Sequence, residues 1–474
     1  MRPVSIELTL LVLVLAILGA ASWLAIAWVG AGDDPERRLR VRRRACAVGL
    51  GVAAFAVYLS NTGRLVQIDT QPAPFAALSL LLHGDLSLER FRPGIDPILA
   101  VTVTSPEGHI YSAYPPGSTL ACVPFLLVPV WLGVPVGIGL IDFLAKLAAA
   151  AWTAVSVSLV FAALRRAGSP GAWAASLAYA FGTTAFSTAS QDVWQHGPGQ
   201  AGLALALYGI ARQPVTAGCA ALVGAGLGWA VVCRTPNLLP ALVLGGFAAL
   251  YSRRSAAGLA AGALPFAVLT LWHNHATTGS AFLFTLAHAV GQGDAAWSTP
   301  FATGFLGLLV APSRGLLIYS PFLVLAIAAA AAELPALGRY LRQVWRRQAP
   351  PPPIPLAAVS GLAALAVVLL VSPWSQWTGG WSYGYRIISE AALLLTPGFA
   401  AALPRLAARR AGRALALALV LVSIAIHALQ VYFPNDAWNA KNAGQVWSPR
   451  PSDTQIGWHL RFLGARLAGA APRK

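Results

Sequence analysis

Three short stretches hold the residue types that could do chemistry. The first is Val66-Gln67-Ile68-Asp69-Thr70, followed by a run ending His83-Gly84-Asp85-Leu86-Ser87-Leu88-Glu89. A carboxylate such as Asp69 can take the proton of an attacking hydroxyl. Asp-Thr is equally good capping chemistry, so Asp69 reads also as an acid that starts the next helix. The second stretch, Gln191-Asp192-Val193-Trp194-Gln195-His196-Gly197-Pro198, sets an acid, an indole and an imidazole together. His196 can donate to a phosphate or shuttle a proton, and Asp192 and Asp85 are further candidate bases. The other reading has Trp194 as an interfacial anchor and His196 as a helix cap. The third set is two arginines, in Pro312-Ser313-Arg314-Gly315 and Trp381-Ser382-Tyr383-Gly384-Tyr385-Arg386. A guanidinium keeps its charge and grips a phosphate through paired donors. Snorkelling to ordinary headgroups is the alternative, yet a snorkeller needs no Gly-, Ser- and Tyr-rich backbone. Trp374, Trp377, Trp381 and Tyr383 precede Arg386 and suit stacking on sugar rings.

The remaining polar residues carry plainer readings. His273 and His275 stand at i, i+2 without an acid or cysteine close enough to complete a metal site, although a divalent metal stays open. Asp142 and Lys146 lie one helical turn apart, which predicts a mutual ion pair. Arg234, before Thr235-Pro236-Asn237, could join a phosphate site. Cys46, Cys122, Cys219 and Cys233 sit in or beside apolar segments without metal or redox spacing, so they read as packing residues.

The elements that must position these residues are apolar. Hydrophobic residues make up 57% of the 474 positions and charged residues 10%, with mean hydropathy +0.65. A soluble chain carries about 25% charge. So little charge cannot coat a water-facing surface of this size. The net charge of +17 does not point to nucleic acid, because the arginines cluster between apolar runs, as orientation signals do in a bilayer protein. The predicted fold is all-α, a polytopic bundle of about twelve spans near 6–29, 46–62, 140–164, 172–190, 198–211, 215–233, 237–252, 256–272, 316–333, 356–373, 386–404 and 413–432. Ile6 to Val29 is too long for a signal core and precedes a basic stop, so it reads as a retained helix. An external N-terminus puts Arg37, Arg38, Arg40, Arg42, Arg43, Arg44, Arg165, Arg166, Arg212, Arg253, Arg254, Arg339, Arg342, Arg346, Arg347, Arg405, Arg409, Arg410 and Arg413 inside. That is 19 of the 33 basic residues, in six short loops. Parity then makes Ser118–Gly139 a re-entrant or interfacial pair of short helices, with 304–315 a second candidate. Pro350–Pro353 reads as a stiff linker. The long external segments are 63–139, 273–315 and the tail from 433, so function belongs to the outer face.

In order along the chain, the motifs resemble the GT-C superfamily of multi-spanning glycosyltransferases, which includes protein O-mannosyltransferases and the lipid A aminoarabinose transferase. The likeness is strongest to a bacterial subset. It rests on Asp69-Thr70, Tyr114-Pro115-Pro116-Gly117, Trp194 to Pro198, Ser313-Arg314-Gly315 with Tyr319-Ser320-Pro321, and Gly379 to Arg386. It runs from about residue 50 to 435. Ile68 departs from the glycine usual before the acid, and Thr378 from a tryptophan or glycine.

The resemblance implies an added N-terminal helix and basic loop over 1–45, a catalytic domain over 46–435 and an external tail over 436–474. It also implies a bacterial inner-membrane enzyme of the cell envelope, with its site facing outside. The partners are then a polyprenyl-phosphate-linked sugar donor, membrane lipids, and a glycan, lipid or protein acceptor. Asp69 would be the general base of one inverting displacement. Arg386 and Arg314 would hold the leaving phosphate, with His196, Asp192, Asp85, Tyr383 and Trp381 lining the donor. The inner loops lack the Asp-x-Asp pair that a diphosphonucleotide donor would call for. Two other classes stay open. A transporter or flippase would show repeats and broken helices at the midplane, and an envelope scaffold would leave Asp69 and Arg386 without a task.

Overall fold

The computed structural model describes residues 6–30, 34–61, 63–91, 101–211, 215–286, 296–346, 353–434, 437–442 and 445–468. Arg212, Arg347 and residues 350–352 of the proline tract lie outside them. The chain is a mostly helical, multi-pass membrane protein. Five helices are long and apolar enough to cross a bilayer: Thr9–Gly30, Ile138–Arg166, Arg253–Thr278, Arg386–Ala407 and Arg410–Tyr432. Leu323–Ala332 and Leu334–Trp345 make a sixth if their 41° bend is counted within one span.

The twelve apolar runs fall largely on helical backbone, but several helices are short. His196–Ile210 has 15 residues, about 22 Å at 1.5 Å per residue, against a hydrocarbon core of about 30 Å. The 172–190 run is broken at Phe181 and continues as a π-helical turn, Ala185–Ala189. Hydropathy counts such a run as one span because it cannot see where the helix breaks.

One element corrects the all-α expectation. Thr102–Thr104 and Ile110–Ser112 form a two-stranded antiparallel hairpin, with Val103 opposite Tyr111. The signal was in the sequence: β-branched residues flank Pro106-Glu107-Gly108, and Gly108 takes φ 91, which favours glycine.

Ser118–Gly139 also differs from expectation. It is one helix, Gly117–Trp131, running through Pro124 and Pro129, then a turn into Ile138–Arg166. Its partner is Pro72–His83: Ala73, Ala77 and Leu78 pack with Cys122 and Leu126 in a satellite core. Residues 304–315 form the end of Phe301–Val310 and a following turn.

Small residues hold the bundle together. Gly258 and Gly262 of Arg253–Thr278 lie against the backbone of Ala217 and Ala221, and a Cβ on either would collide with a carbonyl oxygen. Close backbone approach of this kind replaces the hydrophobic drive that lipid removes. Gly262→Leu is expected to destabilise the protein by about 1–3 kcal/mol through overpacking, read as a lowered melting temperature in detergent. An unchanged transition would show that the two helices separate freely.

The C-terminal segment belongs to the same core. Trp438 and Val446 are buried in the main cluster, and the Trp438 indole donates to Asp453 O at 2.7 Å.

Candidate functional site

Asp69 sits on a 3-10 turn, Ile68–Thr70, shortly after the Pro35–Leu59 helix. Arg386 opens the turn Arg386–Ile388 that leads into Ser389–Ala407. These residues, 317 positions apart, form an ion pair with Arg386 Nη1 3.2 Å from Asp69 Oδ2. The Asp69 side chain is 30% exposed and that of Arg386 11%, so the pair is reachable from outside the core. Arg386 Nη2 donates to Gly379 O at 2.6 Å, and its guanidinium lies 4.0 Å from the centroid of the buried Trp194 ring. Arg386 Nε has no hydrogen-bond partner.

The loop carrying Arg386 has a shape that favours glycine. Gly379, Gly380 and Gly384 take φ 78, 61 and 59, and a Cβ on Gly384 would strike the Tyr319 ring. Arg314 braces this loop from inside. It donates to Ser382 O at 2.9 Å, Gly380 O at 3.0 Å, Gln455 Oε1 at 2.8 Å and Asn439 Oδ1 at 3.0 Å, and lies over Trp438. Arg314 is only 1% exposed and its forked donors are spent on neutral oxygens. Of the two arginines expected to hold a phosphate, Arg386 alone reaches the surface.

Asp192 supports Asp69 from below. It is fully buried, accepts from Arg64 Nε at 2.6 Å and from Val193 N at 2.7 Å, and is hydrogen-bonded by the Thr70 hydroxyl. Arg64 reaches on to Asp142 at 2.7 Å. This overturns the Asp142–Lys146 pair: Lys146 instead donates to Ser190 O at 3.1 Å and Gln191 Oε1 at 2.6 Å. One helical turn put Lys146 within reach of Asp142, but Arg64 offers a planar fork that serves two carboxylates at once.

His196 lies on a second buried triad. Its Nδ1 is 2.9 Å from Glu390 Oε1, and Arg234 donates to Glu390 Oε2 at 3.1 Å and to Ile387 O at 2.7 Å. Neither His196 nor Arg234 faces solvent, and together they fix the start of the Ser389–Ala407 helix behind Arg386. Tyr383 is buried, its hydroxyl on Ile426 O at 2.8 Å, whereas Trp381 is 55% exposed. Asp85 takes no part in this cluster. It is bound by Ser79, Ser87 and Arg90, and although burial acts against its charge, those hydrogen bonds hold its carboxyl well below the usual range.

Tyr114 completes the surroundings of Asp69. Burial raises its phenol above the ordinary value, and the Asp69 charge adds to the shift while Arg386 opposes it. Among the described residues, no group of three or more His, Cys, Asp or Glu side chains converges as metal ligands.

Comparison with known proteins adds little. No protein-family model matches the chain, and no curated protein does. Among solved structures it is similar to the crystal structure of ArnT from Cupriavidus metallidurans bound to undecaprenyl phosphate. The match has 18% identity and a TM-score of 0.47, over 89% of this chain and 71% of that one. Function has to be read from the site's own geometry.

Arg64 and Glu390 are the charged residues that reading the sequence missed. Glu390 was legible in part, as an acid inside an apolar run, which is costly unless paired. Arg64 gave no such signal, standing where any interfacial arginine would.

Proposed function

We propose that this protein transfers a sugar from a polyprenyl-phosphate carrier to an acceptor hydroxyl at the outer face of the membrane. The observation that carries the reading is the partly exposed Asp69–Arg386 pair, a base and a phosphate-binding cation within one reaction radius. In the resting protein the guanidinium is held by the carboxylate. An arriving phosphate competes for Arg386 with its own paired acceptors, and Asp69 is released to meet the acceptor hydroxyl. The acceptor oxygen then bonds to the anomeric carbon while the carbon–oxygen bond to phosphate breaks. The electron pair leaves on the phosphate, which Arg386 neutralises, and the hydroxyl proton passes to Asp69. One displacement inverts the anomeric centre. Trp194 under Arg386 and the buried Asp192–Arg64 and Glu390–Arg234 pairs set the two reacting side chains in place before substrate binds.

The decisive experiment is release of sugar from a synthetic polyprenyl-phosphate donor by the purified protein, with inversion read by NMR. A protein that moved the intact lipid-linked sugar without cleaving it would be a flippase.

In the membrane we read all twelve apolar runs as crossings, with the site at the outer end and the 19 clustered arginines inside. A cysteine introduced at Ala349, outside the described residues, is expected to stay unlabelled by an impermeant reagent on intact cells and to react once the cells are opened. Labelling on intact cells would invert the topology.

A further inference from the structure

Beside the Asp69–Arg386 pair lies a narrow cleft, lined in part by Gln67, Gln191, Trp194, Trp381, Ser382 and Gln430. Gln67 stands two residues before Asp69, and Trp194, which lines the cleft, also stacks on the Arg386 guanidinium. The cleft itself has room for ≈ 20 Å³, about one water molecule or one hydroxyl group. Ser382 is 7% exposed, and its hydroxyl is buried with no hydrogen-bond partner. A buried hydroxyl left without a partner costs free energy that a ligand can restore. One end of the Gln430 side-chain amide pairs with His459 Nε2 at 2.8 Å, which leaves its other polar atom for the cleft. Trp381 stands more than half exposed at the rim, where a flat apolar face can cover a sugar ring.

The lining carries no charge, and the charges around it are committed. Asp192 pairs with Arg64, and Glu390 with Arg234 and His196, while Asp69 is not part of the lining. An ammonium on the sugar would find no carboxylate in the lining. A carboxylate on the sugar would find Arg314 spent on the loop and Lys146 turned to Gln191 and Ser190.

We infer that this cleft is the subsite for an uncharged sugar ring, which rests against Trp381 and reaches the Ser382 hydroxyl with one of its own. This rests on the transferase reading and names the class of sugar that reading leaves open. The test uses the full chain in lipid nanodiscs and four short-chain polyprenyl phosphates: bare, glucose-bearing, aminopentose-bearing and glucuronate-bearing. The glucose-bearing lipid is expected to bind about tenfold more tightly than the bare phosphate, and the two charged sugars no more tightly than the bare one. Ser382→Ala is expected to remove about three- to tenfold of the glucose gain, as one neutral hydrogen bond would, and to leave the bare phosphate unchanged. Tighter binding of either charged sugar, or an equal loss for all four lipids in Ser382→Ala, would overturn the subsite. Bare phosphate that binds through Arg386 while glucose adds nothing overturns the subsite alone. If none of the four shows Arg386-dependent binding, the transferase reading fails with it.

Discussion

Asp69→Asn is expected to lower sugar transfer by about 10²–10⁴-fold, the usual cost of losing a general base, while the protein folds and binds donor as before. Asparagine keeps the shape of the side chain and still offers an oxygen to Arg386 Nη1, now 3.2 Å from the carboxylate, but takes no proton at neutral pH. The geometry sharpens the expectation. The phosphate and the Asp69 carboxylate compete for one guanidinium, so removing the carboxylate's charge leaves donor binding equal or tighter as the rate collapses. A variant that merely disturbed the loop would weaken both. Near wild-type turnover by Asp69→Asn would take the acid out of the mechanism. Asp192 and Asp85, already bound by Arg64 and by Arg90, offer no ready replacement, and the transporter reading would then move ahead.

Arg386→Ala is expected to act on binding and rate together. The guanidinium meets phosphate in the ground state and faces added charge as the bond breaks, so both Kd and kcat depend on it. Losing charge-assisted bonds of this kind corresponds to about 10²-fold in donor affinity, with a further loss in turnover. Arg386→Lys separates charge from geometry: it keeps a cation but loses the planar fork and the stacking on Trp194. It should fall between the alanine variant and the native protein. Isothermal titration with bare polyprenyl phosphate, beside the transfer assay, reads both effects. Native affinity in Arg386→Ala would show that the phosphate is held elsewhere.

The membrane character of the fold was legible because lipid imposes a coarse rule, apolar length, that composition records directly. The positions of the breaks were not. The π-helical turn at Ala185–Ala189 leaves hydropathy unchanged while altering what its run can span, and Pro124 and Pro129, which suggest a break, lie inside one helix. The chemistry-bearing stretches around Asp69, Trp194 and Arg386 could be picked out by residue type. Their grouping could not, because pairing over 317 positions is decided by which helix ends share one end of the bundle. Arg314 shows the limit most clearly. Its surroundings of glycine, serine and proline fit a phosphate site and a loop brace equally, and only the placement of Asn439 and Gln455 separates them.

Gln455 also bears on how the protein matures. This one amide holds Arg314, the Tyr319 hydroxyl and Gly384 N through its oxygen, and donates to Ser382 O through its nitrogen. The loop that presents Arg386 is thus fastened by a residue some seventy positions later, beyond the Arg410–Tyr432 helix. Until that stretch has been synthesised and delivered to the same side as the loop, the glycine-rich turn lacks its clasp and Arg386 its bearing. A chain grown only through the Arg410–Tyr432 helix therefore holds all five long apolar helices described above while the Arg386 loop is still unclasped.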